Sequence, residues 1–79
     1  MMTTEQKREA DKQFLIEGIA HDVIVMLMDD NHLSMDEAMD TLFNSSTFEK
    51  LEDEKTGLYY QSPVYIMDML ASEKPSLKV

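Results

Sequence analysis

The segment from Phe14 to Met28 constrains the fold more than any other part of this chain. At about 100° per residue, its main apolar stripe covers roughly half of a helical wheel. That stripe consists of Leu15, Ile16, Ile19, Ala20, Val23, Ile24, Met26 and Leu27. The other half of the wheel carries charged residues but also Phe14, Gly18, Val25 and Met28. Because a helix that is apolar nearly all round is normally buried on more than one side, the segment predicts a core face and a second contact face.

The length of the chain indicates what the second face is for. A chain of 79 residues forms one small domain, which we take as residues 1–79. Such a domain buries only about 60% of the surface of its unfolded chain, so disulfides, metals or oligomerisation commonly add stability. The chain has no cysteine, which excludes disulfides and thiolate metal sites. We therefore expect a homodimer whose seam is lined by Phe14, Gly18, Val25 and Met28, with Gly18 allowing another backbone to approach closely.

The long first helix is expected to run from about Thr4 to Asp30. Thr3 and Gln6 have the spacing of a capping box. Asn31 is suited to the left-handed residue that ends a helix. Residues 1–13 are mostly polar, and we expect them to form a helical extension that projects from the domain or frays.

Three short helices are predicted after the first. The patterns Ser34-x-x-Glu37 and Ser46-x-x-Glu49 have the spacing of capping boxes, and the second is expected to open a helix over residues 47–54. Ser62 followed by Pro63 is typical of a cap and a first helical position. The last helix is expected to run to about Ser72.

The segment after the Thr56-Gly57 turn signal is expected to be extended over Leu58-Tyr59-Tyr60. An aromatic segment of this kind is either a contact surface or a buried connection whose hydroxyls bind the backbone, and both interpretations stay open. We include Tyr59 and Tyr60 among the candidate interface residues. Residues 73–79 are expected to form a tail, and truncation after Glu73 is expected to cost little stability.

The short helices are too short to be stable alone in water, so we expect them to fold onto the core face of the first helix. Their inward residues are expected to be Met35, Ala38, Met39, Leu42, Phe43, Phe48, Leu51, Ile66, Met67, Leu70 and Ala71. The eight methionines are interpreted mainly as core filling, with an adaptable partner groove as the alternative; Met28 and Met69 are expected to be the most exposed. The predicted fold class is all-α, a small bundle of one long and three short helices.

The charge of the chain bears on its partners and its location. Sixteen acidic residues oppose seven basic ones, giving a net charge of −9. Such a chain repels phosphate backbones and anionic membranes, so we expect no binding of nucleic acid or membrane. The start of the chain does not resemble a secretory signal, and its longest apolar run, Val23 to Met28, is too short to cross a bilayer. These features predict a cytoplasmic protein.

No pattern in the sequence points to catalysis. The two histidines, His21 and His32, lack tight metal-ligand spacing. The acids between Asp29 and Asp40 lack the spacing and the glycine of a calcium loop. No nucleophile with an obvious base and no glycine-rich phosphate loop is recognisable. We therefore expect no enzyme activity, no metal, no cofactor and no small-molecule substrate.

The layout of the chain resembles a family of very small bacterial proteins of unknown function. The resemblance rests on the long apolar helix, on Ser34-Met35-Asp36-Glu37-Ala38, on the short helix around Phe48 to Leu51, and on residues 61–68, Gln-Ser-Pro-Val-Tyr-Ile-Met-Asp. Relatives often carry a histidine near residues 58–60, where this sequence has none. Some are encoded beside toxin-like genes, so the resemblance implies an antitoxin-like or accessory role; it carries over no catalytic residue.

Two hypotheses on function follow from the sequence. The first is a non-enzymatic protein-interaction module that forms a homodimer. The second is an acidic accessory partner, antitoxin-like by the resemblance, that binds and neutralises or regulates another protein. The charge of −9 favours a basic partner and a salt-sensitive association in the second case.

Overall fold

A computed structural model describes residues 3–78, with the backbone alone for residues 4, 5, 8 and 9. Within residues 3–78 the chain forms four α-helices and a short 3₁₀ turn, and no strand. The helices are α1 (Thr4–Asn31), α2 (Met35–Phe43), α3 (Ser46–Glu52) and α4 (Pro63–Glu73), and the 3₁₀ turn is Leu58–Tyr60. The prediction of an all-α bundle of one long and three short helices is confirmed.

The first helix determines the shape of the molecule. Its 28 residues extend over about 42 Å at the usual rise per residue, close to the longest dimension of 44 Å. The 3₁₀ turn and α2 to α4 pack against it or against one another. The predicted extension 1–13 is part of this helix from Thr4 onward, and residues 1 and 2 lie outside the described residues. No helix among residues 3–78 is long and apolar enough to cross a membrane.

The ends of α1 follow the sequence closely. Thr3 and Gln6 form the predicted capping box. At the other end, Asn31 is still helical and His32 is the left-handed residue, with φ of 53°, so the predicted position was wrong by one. The Asn31 side chain is instead engaged with Lys78, far along the sequence.

The capping box of α2 is confirmed, but α3 begins one residue earlier than predicted. Ser34 and Glu37 bind each other's backbone N–H groups. For α3 the N-cap is Ser45, whose Oγ accepts a hydrogen bond from the N–H of Phe48 at 3.0 Å. The predicted cap, Ser46, lies inside the helix, where its N–H donates to the carboxylate of Glu73. A partner 27 residues away leaves no local signal at the start of α3.

The expectation of an extended segment at residues 58–60 was wrong. Gly57 has φ of 64°, a conformation that glycine adopts without the penalty of a Cβ, and it turns the chain into the 3₁₀ turn. The Thr56 hydroxyl fixes this turn, because its oxygen accepts from the N–H of Leu58 at 3.2 Å. Leu58 is buried as a result, at 9% exposure.

The core lies along one side of α1, as the stripe predicted. The buried apolar residues are Ile16, Ile19, Ala20, Val23, Leu27, Ala38, Leu42, Leu51, Leu58, Ile66, Met67 and Leu70. On α2, only Ala38 and Leu42 are buried. Met35, Met39 and Phe43 were expected inward, but they are at least 38% exposed. A helix of nine residues buries one narrow side, and these three lie beside it.

Four other residues, two expected to be exposed and two expected inward, are partly buried instead. Met28 and Met69, expected to be the most exposed methionines, are partly buried and pack against the core. Phe48, expected inward, is also only partly buried, as is Ala71. Of the methionines whose side chains the structure describes, Met35 is the most exposed, at 59%.

Candidate interaction surfaces

The side of α1 that faces away from the core carries three of the residues predicted for a seam. We call Phe14, Gly18 and Val25 the outer face. Phe14 is 76% exposed and Val25 is 42% exposed. A Cβ placed on Gly18 would meet nothing within 4 Å among the described residues. The three positions fall within about 40° of one another around the helix, so they form one strip.

Charged residues surround the outer face. Asp11, Asp22 and Asp29 are exposed on its flank, and Lys7 is exposed near its N-terminal end. The Nδ1 atom of His21 lies 3.2 Å from Oδ1 of Asp22. This is the one contact between basic and acidic side chains within 4 Å among the side chains that the structure describes.

The other predicted interface residues do not join the outer face. Met28 packs against the core. Tyr59 is partly buried, and its ring lies 6.0 Å from the Lys12 ammonium. Lys12 points roughly 160° away from Phe14 around α1, so the 3₁₀ turn lies on a different side of the helix. Tyr60 is 76% exposed and contacts Tyr59, with 4.7 Å between the ring centroids.

A second surface, which the sequence did not predict, is an open cleft of about 380 Å³ between α1 and the junction of α2 with α3. We call it the cleft. From α1 it is lined by Gln13, Ile16, Glu17, Ala20, His21 and Ile24. From the other side it is lined by Phe43 at the end of α2 and by Phe48 and Glu52 of α3. The two phenylalanine rings meet edge to face, with centroids 4.9 Å apart.

The cleft has an apolar floor and a polar rim. Ile16 and Ala20 are buried, at 4% and 7% exposure, while Phe43 is 42% exposed. At the rim, Glu17 and Glu52 are exposed. One carboxylate oxygen of Glu17 accepts a hydrogen bond from the side-chain amide of Gln13 at 3.2 Å. The sequence did not predict this site, because both phenylalanines fit the expected core pattern.

A third feature, the carboxylate of Glu73, joins the end of α4 to the start of α3. Its oxygens accept hydrogen bonds from the N–H groups of Ser46 at 2.9 Å and Thr47 at 2.8 Å, and from the Thr47 hydroxyl at 2.8 Å. The hydrogen bond from Ser46 is the main reason that the pKa of Glu73 lies below its ordinary value. Such a carboxylate satisfies N–H groups that have no partner within the helix, so we assign Glu73 a structural role.

A second carboxylate with structural partners is that of Glu37. The pKa of Glu37 is lowered, first by the backbone N–H of Ser34 and then by its hydroxyl, as expected for a capping box. Among the side chains that the structure describes, no three acidic, histidine or cysteine groups are arranged to hold a metal ion.

Comparison with protein-family models, with curated proteins and with solved structures finds no match to this chain.

Proposed function

We propose that the chain is a non-enzymatic interaction module of the cytoplasm that self-associates through the outer face of α1. The observation that supports this most directly is the strip formed by Phe14, Gly18 and Val25, all three of which are exposed. Phe14 alone leaves 76% of its surface exposed. A bulky aromatic side chain of this kind is a common anchor of protein interfaces.

Gly18 gives independent support. Glycine in the middle of a helix costs about 1 kcal/mol relative to alanine. No contact among the described residues requires a glycine at this position, because a Cβ there would meet open space. A second helix that crosses α1 at Gly18 does require a glycine there, since small residues let two backbones approach closely.

The charges at the two ends of the outer face fit an antiparallel pairing. Lys7 and Asp29 each lie eleven residues from Gly18, which is about three helical turns, so all three residues point to the same side. If two copies cross antiparallel at Gly18, Lys7 of one copy lies opposite Asp29 of the other. A two-fold axis makes this contact twice.

The net charge of −9 on each copy opposes self-association. Screening by salt weakens this long-range repulsion more than it weakens apolar contact. We therefore expect the homodimer to become more stable as salt is added, and this dependence separates it from association with a basic partner.

Sedimentation equilibrium across micromolar concentrations, at low and high salt, tests the proposal. The wild type is expected to dimerise, and Gly18→Leu and Val25→Ser are expected to shift the equilibrium to the monomer while circular dichroism stays helical. Val64→Ser is the matched control, because Val64 is also exposed, at 59%, but lies on α4. A wild-type chain that stays monomeric at high micromolar concentration contradicts the proposal.

A further inference from the structure

We propose that the cleft between α1 and the junction of α2 with α3 binds a basic amphipathic segment of another protein. The segment inserts one bulky apolar side chain against Ile24 and Phe43 and places lysine or arginine side chains next to Glu17 and Glu52. The cleft and the outer face lie on different sides of α1, so this proposal does not depend on self-association.

The lining of the cleft sets the apolar part of the recognition. Ile16 and Ala20 close the floor against the core, and the edge-to-face pair of Phe43 and Phe48 forms the opposite wall. Phe43 keeps 42% of its surface exposed although its neighbour Leu42 is fully buried. An exposed aromatic wall beside a closed apolar floor is suited to receive an apolar side chain.

The volume of the cleft limits what enters it. About 380 Å³ lies near the lower end of ligand pockets, which are roughly 300–1,000 Å³. The site is open to solvent rather than enclosed, so it suits an anchor side chain from a helix that lies across it. Recognition of an amphipathic helix by an apolar groove follows this arrangement.

The rim sets the charge of the occupant. Glu17 on α1 and Glu52 on α3 both line the cleft, and both are exposed. Among the side chains that the structure describes, neither has a lysine or arginine within 4 Å. The whole chain adds the field of a net charge of −9. Electrostatic complementarity therefore favours a cationic segment and disfavours an acidic one.

The probe for the test is a synthetic, fluorescein-labelled helical peptide that carries Phe and Leu on one side and Lys along both edges. Two control peptides replace every Lys by Glu, or the Phe and Leu by Ala. Fluorescence anisotropy is expected to show binding of the first peptide alone, and added salt is expected to weaken it. Amide chemical shifts are expected to change most at Ala20, Ile24 and Phe43.

A pair of double variants separates the cleft from overall charge. Glu17→Lys with Glu52→Lys reverses the rim, and Glu54→Lys with Asp68→Lys makes the same change of net charge at exposed positions outside the cleft. We expect the rim variant to bind the peptide about tenfold more weakly and the control variant to bind it within about twofold of wild type. Circular dichroism of both double variants checks that each is folded.

The outcomes are decisive in both directions. Equal weakening by the two double variants, binding of the Glu peptide, or chemical shifts centred away from the cleft would each overturn the proposal, as would no binding at micromolar concentration. Repeating the titration with Gly18→Leu distinguishes the two surfaces. Peptide binding by this monomeric variant supports the cleft whether or not the wild type dimerises.

Discussion

The side-chain amide of Asn31 pairs with the backbone of Lys78 in both directions. Its Nδ2 donates to the carbonyl of Lys78 at 3.1 Å, and its Oδ1 accepts from the N–H of Lys78 at 2.7 Å. Leu77, one residue earlier, packs against the core. These contacts hold residues 74–78 against the rest of the domain. Truncation after Glu73, which the sequence predicted to cost little stability, is therefore expected to be destabilising.

We predict that Asn31→Ala destabilises the domain by about 1 kcal/mol, since it removes two hydrogen bonds that are partly accessible to water. For a domain of this size that lowers Tm by roughly 4–8 °C. Truncation after Lys74 is expected to cost more, because it also removes Leu77 from the core. In the truncated chain, Asn31→Ala should have almost no further effect, and thermal melts of the four chains measure this coupling. Fully additive losses would contradict the pairing.

Glu73 is predicted to make stability depend on pH. Its pKa is lower in the folded chain, so its contribution is fully present above the ordinary glutamate pKa and is lost as pH falls through the folded value. Glu73→Gln should lower Tm by a few degrees near neutral pH, and the difference from wild type should shrink in acid. Melts from neutral to acidic pH measure it, with Glu54→Gln, which is exposed, as the control. A difference that is constant with pH would count against the role of the carboxylate.

The predicted effects of Gly18→Ala on the monomer and on the dimer have opposite signs. Alanine raises helix propensity by about 0.5–1 kcal/mol, and its Cβ enters open space, so the monomer should melt at a higher temperature. The same methyl group keeps a second backbone at a distance, so dimerisation should weaken. Melts at low concentration and sedimentation at high concentration provide the two measurements. A tighter dimer would place the contact elsewhere than Gly18.

Leu42 and Phe43 are adjacent in sequence but are expected to differ strongly in their importance for the core. Leu42 is fully buried, whereas Phe43 is 42% exposed. Leu42→Ala should cost about 2–5 kcal/mol, a large part of the roughly 5 kcal/mol expected for a small domain. Phe43→Ala should cost clearly less, although the larger side chain is removed. Urea unfolding of both variants compares them, and a larger loss for Phe43→Ala would contradict the assignment of this residue to the cleft wall.

The sequence predicted those parts of the fold that depend on local patterns. The stripe on α1 and the caps at Thr3, Ser34 and Ser62 need only residues a few positions apart. The predicted start of α3 was one residue too late, because the group that binds the N–H of Ser46 is Glu73, which lies on another helix. The left-handed residue was predicted at Asn31 but is His32, and the Asn31 side chain binds Lys78 instead. In both cases a tertiary hydrogen bond accompanies the departure from the local pattern.

The surfaces were harder to predict than the fold. Phe14, Gly18 and Val25 lie on one side of α1, because one helix fixes their relative angles, and their role in a seam stays a prediction. Phe43 was assigned to the core because an apolar residue beside Leu42 fits the same stripe. Which of two neighbouring apolar residues is buried depends on where the partner helices end, and sequence periodicity does not contain that information.

The last described part of the chain makes long-range hydrogen bonds at two places, from Glu73 to the start of α3 and from Lys78 to the end of α1. During translation, α1, α2 and α3 are synthesised before either of these contacts can form. Until residues 73–78 have emerged from the ribosome, the start of α3 lacks its carboxylate and the core lacks Leu77. The domain is therefore expected to complete its folding after these residues emerge, and the nascent chain keeps its apolar stripe accessible to chaperones until then.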